Sequence, residues 1–254
     1  AALLGSIAEL RKDWPVAEAQ YRNALAHNAP TTASIRLAVV MFRQNRKNEA
    51  QELLTAIQAN AALSDEIRRD AFTTEIQFLL MSGQASRSAS AGLNDIYRRA
   101  LLAWPGAHRL RYQFAMRLFG QGQVRQALDE LRTVLRTAPA DVDALNAYGY
   151  TLAKEMDRPS SAFKTLEQAF LIAPNRAEVL DSYGYVLHRL GRNSQALPPL
   201  QKAWDTAPSA VTAGHLAQVF WQLGDTSQAQ SYLNKGLELD ANEAELIKLK
   251  ERMP

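Results

Sequence analysis

The chain has 254 residues, of which 47% are hydrophobic and 22% charged, a composition typical of a well-packed protein and not of a disordered one. Its formal net charge of +3 is small for a nucleic-acid-binding protein, and Lys and Arg form no runs. The absence of cysteine excludes disulfides and thiol catalysis, and no apolar run approaches the ~18 residues that a membrane span requires.

Residues 1–63 carry a weak pattern of small and apolar residues that predicts two degenerate helix pairs. The marker positions are Gly5, Ala17, Tyr21 and Ala24 in the first pair, and Leu37, Ala38, Ala50 and Leu54 in the second. Because Gly5 already occupies a mid-helix position, we expect the chain to be a fragment of a longer repeat array.

Residues 64–105 predict an atypical third pair, whose long first helix runs from about Asp65 to Met81. Ser64 is a suitable N-cap, because its hydroxyl can accept a hydrogen bond from an amide of the first turn. The Ser-, Ala- and Gly-rich stretch that follows predicts an inserted loop at residues 82–91.

Residues 106–241 form the most regular part of the sequence. Prolines end similar helical stretches at intervals of 34, 35 and 34 residues, at Pro105, Pro139, Pro174 and Pro208. Small residues recur upstream of them, at Ala115, Gly149, Gly184 and Ala217 and at Ala127, Ala162, Ala196 and Ala229. Small side chains let neighbouring helices approach closely. Turn glycines separate the helices at Gly122, Gly191 and Gly224.

The last segment, residues 242–254, carries Leu246, Leu249 and Met253 at helical spacing. This pattern predicts a capping helix that covers the last apolar face of the array. The period of about 34 residues resembles the tetratricopeptide (TPR) repeat, an antiparallel helix pair. The resemblance implies an all-α fold: a right-handed α-solenoid of about seven TPR-like helix pairs plus a C-terminal capping helix, with residues 1–254 forming a single domain.

Residues 145–240 allow a narrower comparison. Phrases such as "LNAYGYTLA" and "DSYGYVLHRLG" are similar to those of bacterial periplasmic TPR lipoproteins. Among these is the outer-membrane adaptor that binds and activates a carboxyl-terminal processing protease. The resemblance implies a protein or peptide partner, such as that protease and its substrates. It also implies a periplasmic, outer-membrane-anchored location, with the lipid anchor outside these residues.

Motifs for catalysis or metal binding are missing from the sequence. The histidines, His27, His108, His188 and His215, form no i+3 or i+4 pair, and H-E-x-x-H, G-x-S-x-G and phosphate-binding glycine loops do not occur. Glu167 and Asp181 fall on regular helices, which favours solvated carboxylates without a convergent acid–base pair. We therefore predict no enzymatic activity, no cofactor and no metal site. His188 and His215 either contact a ligand or are simply solvated.

A TPR array binds with its concave face, which is built by the first helix of each pair. The repeat frame predicts a partner-binding face there, made of Arg109, Tyr112, Gln113, Met116, Asn146, Tyr150, Lys154, Asp181, Ser182, Tyr185, Arg189, His215, Gln218, Trp221 and Gln222. Tyr150 and Tyr185 occupy equivalent positions one repeat apart. Aromatic rings with polar tips suit peptide binding, although individual rings can instead pack between repeats.

Other functions stay open at this level. An assembly factor for an envelope secretion or polysaccharide machine would use the same scaffold, and a repeat-containing enzyme would need a catalytic domain outside these residues. A nucleic-acid-binding solenoid would need a basic groove. Residues 128–254 hold 13 basic and 16 acidic residues, against 16 and 10 in residues 1–127, so we predict no nucleic-acid partner. The oligomeric state is left open.

Overall fold

The structure, a computed structural model, describes residues 1–27, 32–81 and 87–253. These residues form fifteen α-helices and contain no β-strand. None of the helices described is both long and apolar enough to cross a membrane. The chain divides into two compact units, Ala1–Pro105 and Gly106–Pro254. The boundary between them in the sequence is the position where the atypical repeat was predicted to end.

The first unit contains three helix pairs. Its helices are α1 (Ala2–Leu10), α2 (Trp14–Ala26), α3 (Thr32–Arg43), α4 (Lys47–Ala59), α5 (Asp65–Met81) and α6 (Arg87–Ala103). The marker residues of the two degenerate pairs are all buried. At Gly5 the ring of Tyr21 occupies the space of a side chain, because a Cβ atom there would lie 2.8 Å from Tyr21 Cε1.

The third pair departs from the sequence-based prediction at one point. Helix α5 begins and ends as expected, and the Ser64 hydroxyl accepts a long hydrogen bond of 3.4 Å from the Ile67 amide. The loop predicted at residues 82–91 is wrong for residues 87–91, which belong to α6, while residues 82–86 lie outside the described residues. Alanine favours helix and serine disfavours it only weakly, so buried Leu93 and Ile96 further along decide the conformation.

A buried charge network links the helices of this third pair to α4. Glu75 on α5 is only 2% exposed and receives hydrogen bonds from Arg99 Nη2 on α6 at 3.1 Å to each carboxylate oxygen. Gln58 on α4 donates to Glu75 at 2.7 Å and accepts from Arg99 at 2.7 Å. The carboxylate is thus paired and hydrogen-bonded, as a buried charge requires.

The second unit contains four helix pairs and a final single helix. Its helices are α7 (His108–Gly120), α8 (Val124–Thr137), α9 (Val142–Lys154), α10 (Pro159–Ile172), α11 (Ala177–Arg189), α12 (Asn193–Thr206), α13 (Ala210–Gln222), α14 (Thr226–Leu239) and α15 (Ala244–Arg252). The predicted all-α fold of about seven helix pairs and a C-terminal cap is confirmed. The continuity of the two units as one domain stays a prediction.

Short turns with one left-handed residue connect the two helices in each of the six pairs whose turn the structure describes. The predicted turn glycines, Gly122, Gly191 and Gly224, have φ values of 71°, 75° and 84°. The corresponding turns after α1, α3 and α9 use Lys12, Asn45 and Asp157, with φ values of 58°, 65° and 51°. An L-residue adopts this conformation only at an energetic cost. These three turns nevertheless keep the same left-handed geometry without a glycine.

Glycines and alanines bring the two helices of a pair into close contact. A Cβ atom at Gly149 on α9 would lie 2.6 Å from Leu166 Cγ on α10, so only glycine fits there without a shift. The recurring alanines of the second helices, such as Ala162 and Ala196, have no exposed surface. The predicted close approach of the helices is therefore present.

Helix α15 closes the second unit. Leu246, Leu249 and Met253 are buried, as the capping-helix prediction requires. Leu246 fills a space left by two glycines: its methyl carbons lie 2.7 Å from the position of a Cβ atom at Gly236 and 3.2 Å from that at Gly214.

Candidate functional site

A cavity of about 580 Å³ lies in the second unit and is lined by α9, α11, α13 and α15 together with the turns next to them. These are the first helices of three successive pairs and the cap. The cavity collects seven of the predicted partner-binding residues: Lys154, Tyr185, Arg189, His215, Gln218, Trp221 and Gln222. The repeat frame thus identified nearly half of the predicted set as neighbours around one cavity.

The remaining predicted residues lie elsewhere. Three of them line a second, more open cavity next to α7: Arg109, Tyr112 and Gln113, together with Asp141 and Asp143. Five line neither of these cavities: Met116, Asn146 and Tyr150, which are half-buried, and Asp181 and Ser182, which are buried.

Three rings from successive first helices pack together, and two of them, Tyr185 and His215, line the 580 Å³ cavity. The ring centroids of Tyr150 and Tyr185 are 5.3 Å apart, and those of Tyr185 and His215 are 4.5 Å apart. Burial, followed by the nearby Asp181 carboxylate, raises the pKa of Tyr150 well above its usual value, so this phenol stays neutral. Tyr185 is only 7% exposed, which shows that ring packing between repeats dominates at this position.

Asp181 contradicts the expectation of a solvated carboxylate on a regular helix, and of the two alternatives for His215 the solvated one does not hold. His215 Nδ1 lies 2.9 Å from Asp181 Oδ1, and both residues are buried between α11 and α13. The expectation that no carboxylate converges with another titratable group was therefore wrong. The two residues are 34 positions apart, close to one repeat length, and that spacing was the signal that could have revealed the pair.

Arg189 ties α11 to α9 at the edge of the cavity. Its guanidinium donates hydrogen bonds to the Ala153 carbonyl and the Tyr185 hydroxyl, both at 2.8 Å, and to Asp157 at 2.5 Å. The charge lies 5.7 Å from the centre of the Tyr185 ring. Lys154 approaches the Tyr150 ring in the same way, at 5.5 Å. Arg189 thus fixes the spacing of two successive first helices.

His188 also lines the cavity and is not simply solvated. Its Nδ1 lies 2.7 Å from Asn193 Oδ1, at the start of α12. Burial lowers the pKa of His188, and the neighbouring His215 and Arg189 lower it further, so the neutral imidazole is favoured.

Helix α15 contributes a wall of the cavity that the sequence-based reasoning missed. Glu245, Lys248 and Arg252 recur on this helix beside Leu249, and all four line the cavity. Lys248 and Glu245 form an exposed ion pair of 3.2 Å, and Glu243 caps the helix by accepting hydrogen bonds from the Glu245 and Leu246 amides. The i, i+3, i+7 spacing places these charges on one face of the helix and is visible in the sequence. The sequence-based interpretation nevertheless treated the helix only as a cap over the last apolar face.

The arrangement supports binding more directly than catalysis. The cavity combines aromatic rings, amide side chains, and charges of both signs from Lys154, Glu155, Glu245, Lys248 and Arg252. Among the residues that the structure describes, no three His, Asp or Glu side chains come together in a way that could hold a metal ion. Such mixed surfaces bury area and hydrogen-bond a peptide at the same time.

Two stretches of the chain, residues 112–158 and 212–243, match family profiles described as tetratricopeptide repeat. A TPR repeat-containing protein of Pseudomonas aeruginosa is 28% identical over 222 residues, covering 85% of this chain and 35% of its own length. Human tetratricopeptide repeat protein 13 is 28% identical over 130 residues, covering 50% and 15%. The chain therefore spans about a third or less of the curated relatives that it matches.

Solved structures show the same fold at low sequence identity. The C-terminal part of a TPR repeat-containing protein from Cytophaga hutchinsonii gives a TM-score of 0.62 at 13% identity, covering 98% of both chains. PilF of Pseudomonas aeruginosa gives 0.59 at 16% identity, covering 87% of this chain and 96% of its own. YrrB, a TPR protein with an unusual peptide-binding site, gives 0.54 at 18% identity, covering 78% and 96%.

Proposed function

We propose that this chain, which carries tetratricopeptide repeats, is a non-enzymatic scaffold that holds a segment of a partner protein in the cavity between α9, α11, α13 and α15. The observation that carries the proposal is the convergence of four helices on one cavity of about 580 Å³. That volume falls within the ~300–1,000 Å³ of typical ligand sites. Tyrosine, tryptophan and arginine, the residue types that dominate binding hot spots, all line it.

The comparisons support a peptide as the occupant. YrrB, which shares the fold, has a peptide-binding site. In this chain the lining side chains come from helices one repeat apart, so a partner segment that runs across them would contact several repeats in turn. We propose that the occupant is a short segment of a larger protein.

A finer proposal concerns the partner. The resemblance of residues 145–240 to periplasmic TPR lipoproteins supports an adaptor that binds a carboxyl-terminal processing protease and its substrates at the outer membrane. The test compares the rate at which such a protease cleaves a protein substrate with and without the full-length repeat protein. An unchanged rate, together with no complex on size-exclusion chromatography, would reject this partner and leave the peptide-binding proposal intact.

The peptide-binding proposal is tested with random dodecapeptides displayed on phage and selected on the purified chain. Trp221→Ala removes an aromatic side chain of the cavity and should weaken the selected peptides by about thirty-fold, the equivalent of ~2 kcal/mol. Arg252→Glu reverses an exposed charge of the same cavity without disturbing the core and should change the affinity of charged peptides.

Lys164→Ala is the matched control, because Lys164 is exposed on α10, a helix that contributes no side chain to the cavity. It should leave peptide affinity unchanged. Selected peptides that bind all three variants as tightly as the parent chain would show that the cavity is not the binding site. Circular dichroism of each variant checks that the helices are intact.

A further inference from the structure

His215 presents one of its two ring nitrogens to the cavity. The residue is only 6% exposed, and its Nδ1 faces the buried Asp181 carboxylate at 2.9 Å. An ionised carboxylate only accepts hydrogen bonds, so Nδ1 carries the proton and donates it. In the neutral imidazole, Nε2 is then left as an acceptor.

The Nε2 atom of His215 has no hydrogen-bond partner among the residues that the structure describes. No group in the described part of the chain hydrogen-bonds to it, and it is not among the buried polar atoms that are sealed from solvent without a partner. Since His215 lines the cavity and its Nδ1 edge faces α11, the remaining part of the ring is reached from the cavity. A nearly buried acceptor of this kind is satisfied only by a donor that enters the cavity.

Tyr185 supplies the complementary group beside it. Its hydroxyl oxygen accepts a hydrogen bond from Arg189 Nη1 at 2.8 Å, so its own proton points elsewhere. Within the residues described, no protein acceptor takes this proton, and Tyr185 lines the same cavity as His215. The two ring centroids are 4.5 Å apart, so the residue that offers an acceptor and the residue that offers a donor are direct neighbours at the cavity.

We propose that His215 and Tyr185 bind the main chain of the partner segment, with His215 Nε2 accepting from a backbone N–H and the Tyr185 hydroxyl donating to a backbone carbonyl. The bound segment is therefore extended at this point, because a helix interior uses the same groups in its own hydrogen bonds. This inference rests on the proposed peptide-binding function and names the conformation that the cavity selects. Asp181 acts as a positioning residue, because its hydrogen bond to Nδ1 fixes the orientation of the His215 ring and keeps the proton of the neutral imidazole on Nδ1.

The surrounding charges favour a neutral peptide group over a charged side chain at this point. Lys154 and Arg189 already lie against Tyr150 and Tyr185, at 5.5 and 5.7 Å from the ring centres, and would repel a second cation. A ligand anion is disfavoured by Asp181, behind His215, and by Glu155 and Glu243, whose charges act together on Tyr150 and help to raise its pKa.

The test uses peptides selected as random dodecapeptides on phage, resynthesised with a single N-methyl group at each backbone nitrogen in turn. With the parent chain, methylation at one position should weaken binding about tenfold or more, since it removes the N–H that His215 accepts. Tyr185→Phe removes only a hydroxyl and should weaken the unmethylated peptide about three- to tenfold.

The decisive comparison is a double-mutant cycle between the peptide and His215. His215→Phe is made together with Asp181→Asn, so that no carboxylate is left buried and unpaired. In this double variant, methylation at the sensitive position should not weaken peptide binding further. The reference protein is Asp181→Asn alone, in which methylation should still weaken binding. Should His215→Phe fail to fold in this background, the same cycle is run with Tyr185→Phe and an ester in place of the accepting peptide carbonyl.

Three results would overturn the inference. Peptides that tolerate every N-methyl group, or that bind the His215 variant as well as the reference, would exclude the main-chain contact, and so would peptides that become helical on binding. If Trp221→Ala still abolishes binding in these cases, the cavity remains the peptide site and only this inference fails. If no variant of a cavity residue affects binding, or if no peptide is selected, both this inference and the proposed function fail.

Discussion

The Cγ atom of Leu200 lies 2.5 Å from the position that a Cβ atom would occupy at Gly184. Helices α11 and α12 are therefore packed so closely that even a methyl group cannot be added without a shift. We predict that Gly184→Ala destabilises the chain by about 1–3 kcal/mol, because the added carbon overpacks this contact. The urea unfolding midpoint should fall accordingly.

Gly106→Ala is the control, since no atom lies within 4 Å of a Cβ atom at that position. A double-mutant cycle with Leu200→Ala gives a sharper test, because a smaller partner makes room for the new carbon. The cost of Gly184→Ala should then be smaller than in the parent chain. Equal costs in both backgrounds would contradict the contact.

The turn between α11 and α12 allows a prediction of a different kind. Gly191 has a φ of 75° and open space around its Cα, so Gly191→Ala introduces backbone strain without a clash. We expect a loss of about 1–2 kcal/mol. Gly120→Ala, at the last position of α7 with no atom within 4 Å, should be neutral or stabilising by about 0.4–1 kcal/mol. If thermal unfolding showed Gly120→Ala to be less stable than Gly191→Ala, the left-handed conformation of Gly191 would be refuted.

The charge network of the first unit predicts a large effect from one half-buried arginine. Arg99→Ala leaves the buried Glu75 carboxylate without its ion partner, and we expect a loss of about 3 kcal/mol or more. Arg22→Ala removes an exposed i, i+4 pair with Glu18 in the same unit and should cost about 0.5 kcal/mol or less. Similar urea midpoints for the two variants would show that Glu75 is hydrated or protonated in the folded chain.

His188 makes stability depend on pH in a predictable direction. Because its pKa is lowered on folding, the unfolded chain takes up a proton at the ordinary pKa of about 6.5, whereas the folded chain resists it. This contribution is fully present above about pH 6.5 and is lost as the pH falls below that value. His188→Gln should flatten the dependence between about pH 7.5 and pH 5.5, measured as urea midpoints. Parallel curves for the two proteins would contradict the prediction.

The fold was predictable because it depends on residues that recur. Prolines about 34 positions apart, with glycine or alanine at fixed distances before them, specify helix length and helix contact repeat by repeat. The turn after α1 was harder to recognise, since Lys12 gives no sign that its φ value is positive. Asn45, after α3, is of a residue type that adopts positive φ more readily, but on its own it does not mark a turn. The end of the inserted loop was misjudged because Ser and Ala are common in both loops and helices.

The candidate site was predictable only in part, for a physical reason. The repeat frame identifies which face of a helix points inward, and this correctly brought Lys154, His215 and Trp221 to one cavity. It does not show how deeply a side chain is buried by the next repeat. That depth depends on neighbours one repeat away. Asp181 was therefore interpreted as solvated, and His215 as either ligand-contacting or solvated, although the two pair with each other.

Leu246 connects the packing of α15 to the lining of the cavity. Two glycines, Gly214 and Gly236, leave room for its side chain, and the helix that carries Leu246 also carries Lys248 and Arg252 into the cavity. A substitution that filled this space, such as Gly236→Val, would displace the helix and with it a charged wall of the cavity. The charged wall of the cavity therefore depends on two residues that carry no side chain.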